Sequence, residues 1–489
     1  MMLKRRTLDA AAWSGADLLV RQGLQFLAML VLARLAAPDD FGTVAVLGVF
    51  VAIGAVLVDG GLSTALIQRQ DIDHTDESTV FWLNAVVGLT LGSSLALAAG
   101  PLSDFFAQPA LRRLTLAAAL TVIVSALGAV HTALLVKKLD FRTQLYAGAA
   151  AAVLSGALSI SMALNGFGAW ALAAQMLGMA SLSTAFLWLM HRWRPAPVLS
   201  LASAKKLLGF GGFVLVANLI DALYTHLYAV LIGRYIGLQQ LGYYERADST
   251  KQLPASLLTG VFGRVTFPLL SKAARDPIEL RHGIQMAIRG LMLINLPMML
   301  GSAALAEPLI VTVFGEVWRP AVMPFQILCI AAALWPMHMV NVNALLALGH
   351  ARLVLKLEMP KKILGLAMLI IGMFFGIEGV AWSQVTFSIM ALWINSHYTN
   401  RLVGYGLVHQ LKDIVMPGVV ATVMAGALYS LALILVMNAS LKLISLTVLG
   451  GVFYITVIFL AKPPALLEII SIWRTRHTRD GTISERFIE

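Results

Sequence analysis

The chain has 489 residues, of which 59% are hydrophobic and 12% charged, and its mean hydropathy is +0.82. Soluble domains are less apolar and about twice as charged, which excludes a string of soluble domains and leaves a polytopic membrane protein. The net charge of +11 would suit nucleic acid, but the placement of the charges argues against that partner, and a lone cysteine, Cys329, excludes a disulfide framework within the chain.

Fourteen apolar segments of about 20 residues are each long enough to cross a bilayer. They run over 12–35, 42–66, 79–100, 111–135, 144–163, 168–190, 208–232, 249–270, 284–304, 321–346, 353–376, 379–397, 413–436 and 443–461. The runs are continuous rather than alternating, which favours helices over a barrel. The expected fold class is therefore an all-α polytopic membrane protein with about 14 transmembrane helices.

In chain order, the first segment is not a cleaved signal: Arg21 interrupts it and no small-residue cleavage site follows. Ser14, Asp17, Arg21 and Gln25 recur at helical spacing and form one polar stripe, with Arg21 roughly 15 Å from the inner end by helical rise. The segment ends in "VLARLAAPDDFG" (31–42), where Arg34 precedes a turn of Pro38, Asp39 and Asp40; an Asp there can cap the next helix. The second segment closes on Asp59, before Gly60 and Gly61. Gly88 and Gly92 on the third permit close helix packing. The polar stretch "HRWRPAPVLSLASAKK" (191–206) reads as a hinge. On the seventh segment Asn218, Asp221 and Thr225 make a second stripe, with His226 beside it. Residues 231–242, "LIGRYIGLQQLG", repeat the first corner at an offset of 200: Arg34 falls on Arg234, Phe41 on Leu241 and Gly42 on Gly242. Lys251 and Arg264 lie on the eighth segment, Arg289 on the ninth, and Cys329, in an apolar run, is a packing residue. In the tail, Leu466, Leu467, Ile469, Ile470 and Trp473 precede Arg474, Arg476 and Arg479, a pattern that suits a short interfacial helix or a frayed basic end.

With the N-terminus inside, the inner loops carry 23 Lys and Arg and the outer loops six, so both termini are expected in the cytoplasm. Six helices separate the two corners, so both point the same way, as in two repeated halves related by an axis along the membrane normal. The expected organisation is a six-helix bundle over 1–190, a cytoplasmic linker over 191–207, a second, pseudo-symmetric six-helix bundle over 208–400, two additional transmembrane helices over 401–462 and a basic cytoplasmic tail over 463–489.

The stretches "LARLAAPDDFG" (32–42), "DGGLSTALIQR" (59–69), "VFWLN" (80–84), "GYYERADSTKQLP" (242–254), "FPLLSK" (267–272) and "FGEVWRPAV" (314–322) resemble the Wzx-type polysaccharide flippases of the multidrug/oligosaccharidyl-lipid/polysaccharide exporter superfamily. The resemblance implies twelve to fourteen helices in two bundles and a substrate of undecaprenyl-diphosphate-linked oligosaccharide, moved across the bacterial inner membrane for exopolysaccharide, capsule or lipopolysaccharide O-antigen assembly. It also implies membrane lipids and other polysaccharide-assembly proteins as partners. In the lipid II branch of the superfamily, cavity arginines are expected on helices 1, 2 and 8. Arg21 and Arg264 fit, whereas helix 2 has no arginine within its span.

A lipid-linked sugar brings a diphosphate and a glycan that cannot cross hydrocarbon alone. Ionisable groups inside spans are costly and mark functional candidates. Arg21, Arg264, Lys251 and Gln25 are the candidate substrate-binding residues; Asp17, Asp59 and Asp221 are the candidates for ion coupling or gating. Against these stand plainer roles: Asp17 neutralising Arg21 one turn away, Lys251 and Arg289 reaching the interfaces, and Asp59 ending its helix. The offset of 200 also sets Arg21 opposite Asp221 as a pair that could form in one state and part in another. No phosphate-binding G-x-x-x-x-G-K-[ST] loop is present, so coupling to protons or sodium, or to the substrate gradient, is expected, with no cofactor, no metal and no enzymatic activity. The alternatives are an ion-coupled multidrug antiporter of the same superfamily and a polytopic glycan polymerase or ligase.

Overall fold

The computed structural model describes residues 2–69, 71–464 and 466–467; the side chains of 2–12, 208, 210, 213, 253 and 255–265 fall outside that description. The chain divides into two compact units, Met1–Glu245 and Arg246–Glu489. Among the described residues every regular element is helical.

The first unit contains α1 (Met2–Leu35), α2 (Pro38–Asp59), α3 (Leu62–Gln68), α4 (His74–Leu97), α5 (Ala99–Phe105), α6 (Ala110–Lys137), α7 (Phe141–Leu164), α8 (Ala169–Met190), α9 (Leu201–Leu231) and the start of α10 (Leu238–Ala273). Helix starts follow local chemistry. Asp73 caps α4 by accepting from the Asp76 amide at 2.8 Å, Asp140 accepts from the Thr143 amide at 3.1 Å at the head of α7, and Ser200 accepts from the Ser203 amide at 3.2 Å at the head of α9. Within a bilayer, close backbone approach replaces the hydrophobic drive as the source of packing. The Gly88–Gly92 pair does this on α4: a Cβ at Gly88 would lie 2.4 Å from the Ala126 Cβ of α6, and one at Gly92 would lie 2.8 Å from the Ala119 carbonyl oxygen. The segment over 42–66 is broken where Gly60 (φ +54) and Gly61 (φ +70) end α2. Gly60 forms the left-handed cap there.

The two copies of the corner meet. Gly42 is the fifth residue of α2 and Gly242 the fifth of α10. A Cβ at Gly42 would sit 1.7 Å from the Leu238 carbonyl oxygen, and one at Gly242 would sit 2.0 Å from the Pro38 carbonyl oxygen. The contact is reciprocal at an offset of 200, as two copies related by a local two-fold require. Asp40 accepts from the Ala37 amide at 3.0 Å and Asp39 from the Gln108 side chain at 3.2 Å. The acids therefore secure the first corner, while the second is entered through a π turn over Ile232–Ile236 and Gly237 at φ +125.

The second unit contains the remainder of α10, then α11 (Pro277–Ala304), α12 (Ala306–Phe314), a 3₁₀ turn (Glu316–Ala321), α13 (Val322–Ala333), α14 (Trp335–Ala347), α15 (Ala351–Met373), α16 (Gly376–Val403), α17 (Leu407–Ile434) and α18 (Ala439–Ala461). Its core draws Leu280, Ile284 and Ile288 of α11 together with Ala421 and Met424 of α17 and Tyr454 and Ile458 of α18. The Tyr454 hydroxyl donates to the Leu293 carbonyl at 2.8 Å, so the last two helices share this core rather than hang beside it. Cys329 is fully buried, as a packing residue should be.

Each of the fourteen apolar segments lies on helix, yet only twelve spans among the described residues are long and apolar enough to cross a membrane. Of the other two, α15 falls short, and α10 includes side chains, 255–265, that lie outside the description. The first half of α15 carries Arg352, Lys356, Glu358, Lys361 and Lys362, and charge rather than length lowers its apolarity. The tenth span is one crossing over Glu316–Ala347, assembled from the 3₁₀ turn, α13 and α14. The tail pattern from Ile469 to Arg479 lies outside the described residues.

Candidate substrate and coupling residues

In the first unit the polar stripe of α1 faces α7. Arg21 Nη2 lies 3.6 Å from Asp17 Oδ2, in the favourable order of acid before base at i and i+4. Asp17 is buried, whereas the Arg21 side chain is 36% exposed. Gly148 of α7 makes room for the pair, because a Cβ there would come within 3.2 Å of Arg21 Cδ. Gln25, one turn on, is exposed, as are Asn218, Asp221 and Thr225 on α9; His226 and Asp59 are half-buried. Asp59 is the last residue of α2.

In the second unit Lys251 does not reach outward. Its ammonium is 2.7 Å from Asp248 Oδ1 and its side chain is 13% exposed. The Arg264 side chain lies outside the described residues. Arg289 is likewise turned inward: it donates to Asp413 Oδ1 at 2.6 Å, and Asp413 also accepts from Gln285 at 2.8 Å and from the Tyr405 hydroxyl at 2.7 Å. Beside it, Asn341 and Gln410 exchange two amide hydrogen bonds of 2.9 Å. Lys361 of α15, 3% exposed, donates to Glu358 at 2.5 Å and to Asn395 at 3.0 Å. This network escaped the sequence reading, because Arg289 and Asp413 are 124 residues apart and no local periodicity joins them.

The stretch read as a hinge is strapped to the head of α4. Trp193 Nε1–H donates to Glu77 at 2.6 Å, Trp82 Nε1–H to the Ala196 carbonyl at 2.8 Å, and the Ala196 and Ser200 amides to Ser78 and Thr79 at 3.0 and 3.1 Å. Lys206 closes the strap, donating to Asp76 Oδ2 at 3.1 Å and to the Asp71 carbonyl at 2.8 Å. Hydrogen bonding to Asp76 lifts the Lys206 ammonium above its ordinary value, with burial opposing. The Asp71 carboxyl is held below its own, first by its backbone amide and then by Lys206. Burial, followed by the nearby Lys138 charge, lowers His191.

Comparison with known proteins fits this arrangement of helices. The family model of polysaccharide biosynthesis proteins matches residues 31–323. The chain belongs to that family. A curated relative, the lipopolysaccharide biosynthesis protein WzxC of Escherichia coli (strain K12), is 28% identical over 68% of this chain and 68% of its own. The succinoglycan biosynthesis transport protein ExoT of Rhizobium meliloti (strain 1021) is 24% identical over 94% of this chain and 93% of its own. Among solved structures, the lipid II flippase MurJ in an inward closed conformation superposes with a TM-score of 0.73 over 91% of this chain and 98% of that one, at 13% identity, a likeness of fold alone. The resemblance carried by the motifs therefore holds: this member of the polysaccharide biosynthesis family is a multi-pass, all-helical membrane protein with a flippase-like fold.

Proposed function

We propose that the protein moves undecaprenyl-diphosphate-linked oligosaccharide repeat units across the bacterial inner membrane by alternating access, feeding exopolysaccharide, capsule or O-antigen assembly, with both termini in the cytoplasm. The observation that carries this reading is Arg21, a partly exposed guanidinium inside the first membrane helix of a polysaccharide biosynthesis protein. A planar fork of donors matches a diphosphate, and a buried acid keeps that cation neutralised while no substrate is bound. Arg264 supplies a second cation, and Lys251 and Gln25 supply further polar contacts. Asp17, Asp59 and Asp221 are the groups through which an ion gradient would act. Transport of this kind makes and breaks no bond, which fits a protein that is not an enzyme.

The test is export in a strain lacking the native gene. Arg21→Ala and Arg264→Ala should each abolish surface polysaccharide while leaving protein in the membrane, and Arg21→Lys should retain part of it, since a point cation remains but the fork is lost. Full export by both alanine variants overturns the assignment. Loss of resistance to cationic drugs with polysaccharide intact points instead to the multidrug antiporter.

A further inference from the structure

The ion pair on α1 is lopsided. Asp17 is 7% exposed at its side chain and Arg21 36%. Their separation of 3.6 Å is longer than a charged hydrogen bond of about 2.8 Å. Asp17 Oδ1 is buried and accepts no hydrogen bond from the described residues, and the same holds for Gln144 Oε1 on α7, one turn before Gly148. The place where a Gly148 Cβ would stand is 3.9 Å from Asp17 Oδ1, so α7 meets the acid with bare backbone. The charged group on this stretch of α7, Arg142, is turned away onto the Trp13 and Tyr146 rings, 5.6 Å from each centroid. Of the described titratable and charged groups around Asp17, then, Arg21 lies on its own helix, Arg142 and Tyr146 on α7, and among these only Arg21 is paired with it.

We propose that substrate binding and protonation are linked through this pair: a diphosphate that draws the Arg21 guanidinium away leaves Asp17 buried without its counter-charge, and Asp17 takes up a proton from solvent. The inference rests on the flippase reading above and names the ion that answers to the substrate. A carboxylate in a low-dielectric seam is tolerated while it is paired and neutralises when the partner leaves. Empty, the helix holds an ion pair; loaded, it holds a neutral acid, and Arg21 is balanced by the phosphate. In neither state does an uncompensated charge stay buried. When the substrate departs, Arg21 returns to Asp17 and the proton is released to solvent.

The test uses the full-length protein in nanodiscs and undecaprenyl diphosphate as the probe. It is titrated calorimetrically between about pH 7.5 and 9, above the pH range in which phosphate esters themselves titrate, in buffers of different ionisation enthalpy. The wild type should take up about one proton per bound molecule, and affinity should fall about tenfold per pH unit, as linkage requires. Asp17→Asn should bind with no proton uptake and no pH slope, and more tightly than wild type at the upper end of the range. Arg21→Lys should bind more weakly and keep the slope. If Asp17→Asn does not fold, Asp17→Ser makes the same comparison. Equal proton uptake with and without the carboxylate overturns the proposal and leaves the flippase reading standing, because binding was seen. Failure of the wild type to bind the probe overturns the flippase reading itself.

Discussion

Lys206 is the residue on which the strap across the head of α4 depends. Its ammonium faces Asp76, whose side chain is only 6% exposed, and Asp71, which is open to solvent. Removing the cation leaves a nearly buried carboxylate with only the Asp73 amide and the Ser203 side chain as partners, which costs stability. Lys206→Met should therefore lower the thermal midpoint and open the 191–200 stretch to protease, whereas Lys205→Met, at an exposed neighbour, should do neither. The pH dependence follows from the shifts at Lys206, Asp71 and His191. Lys206 is raised in the folded protein, so its contribution is complete below the unfolded lysine value of about 10.4 and fades as pH rises through the folded value. Asp71 is lowered, so its contribution is complete above the unfolded aspartate value of about 3.9 and fades as pH falls through the folded one. His191 is also lowered, by burial, so its contribution is complete above the unfolded histidine value of about 6.5 and fades as pH falls through the folded one. Protease sensitivity of the strap should rise as pH drops below about 6.5, and a flat profile there would contradict this picture. The strap was not legible in the sequence, because Trp82 and Trp193 act through bonds to residues more than 100 positions away. The Asp17–Arg21 pair was legible, because its spacing is one helical turn.

At the scale of elements, the corner between α1 and α2 is decided by what is missing from its side chains. Gly42 and Gly242 give up a Cβ so that each helix start can lie on the carbonyl of the other. Since an added methyl would fall within 2.0 Å or less of backbone oxygen, the backbone itself must move, at a cost of about 1–3 kcal/mol. Gly42→Ala and Gly242→Ala should each destabilise the protein by that amount in detergent. Because both open the same contact, the double variant should cost clearly less than the sum of the two. Strict additivity would show that the corners do not touch in solution. If transport requires the corners to part, each alanine variant should also slow export even where folded protein is recovered. Arg34, Phe41 and Gly42 recurring as Arg234, Leu241 and Gly242 made the duplication readable. That the copies pack on one another was not, since sequence offset carries no information about contact. The break at Gly60–Gly61 was legible in part: Asp59 before two glycines offered a helix end, which α2 takes, although the apolar segment was drawn on to residue 66.

The whole molecule was legible in outline because the bilayer imposes length and apolarity on every crossing; what resisted reading were the charges that satisfy each other inside it. Lys361, Arg289 and Asp413 look like interruptions of a span until their partners are placed, and α15 remains less apolar than a lone crossing needs. Orientation is the property of the whole that can be settled independently of substrate. The asymmetry of 23 inner to six outer Lys and Arg predicts the 99–110 and 232–240 turns outside and the 191–206 strap and the 271–276 turn inside. Cys329 is fully buried and should stay silent toward a membrane-impermeant maleimide, so the native background need not be removed. Single cysteines at Asp104 and Gln239, both exposed, should then label in intact cells. Cysteines at Ala202 and Ser271, equally exposed, should label only after permeabilisation. The Asp104 and Gln239 pair also tests the repeat: one crossing more or fewer between them would put the two corners on opposite sides. Labelling of Gln239 but not Asp104 in intact cells would remove the parallel duplication, and labelling of Ala202 from outside would invert the topology on which the inner-face role of the strap depends.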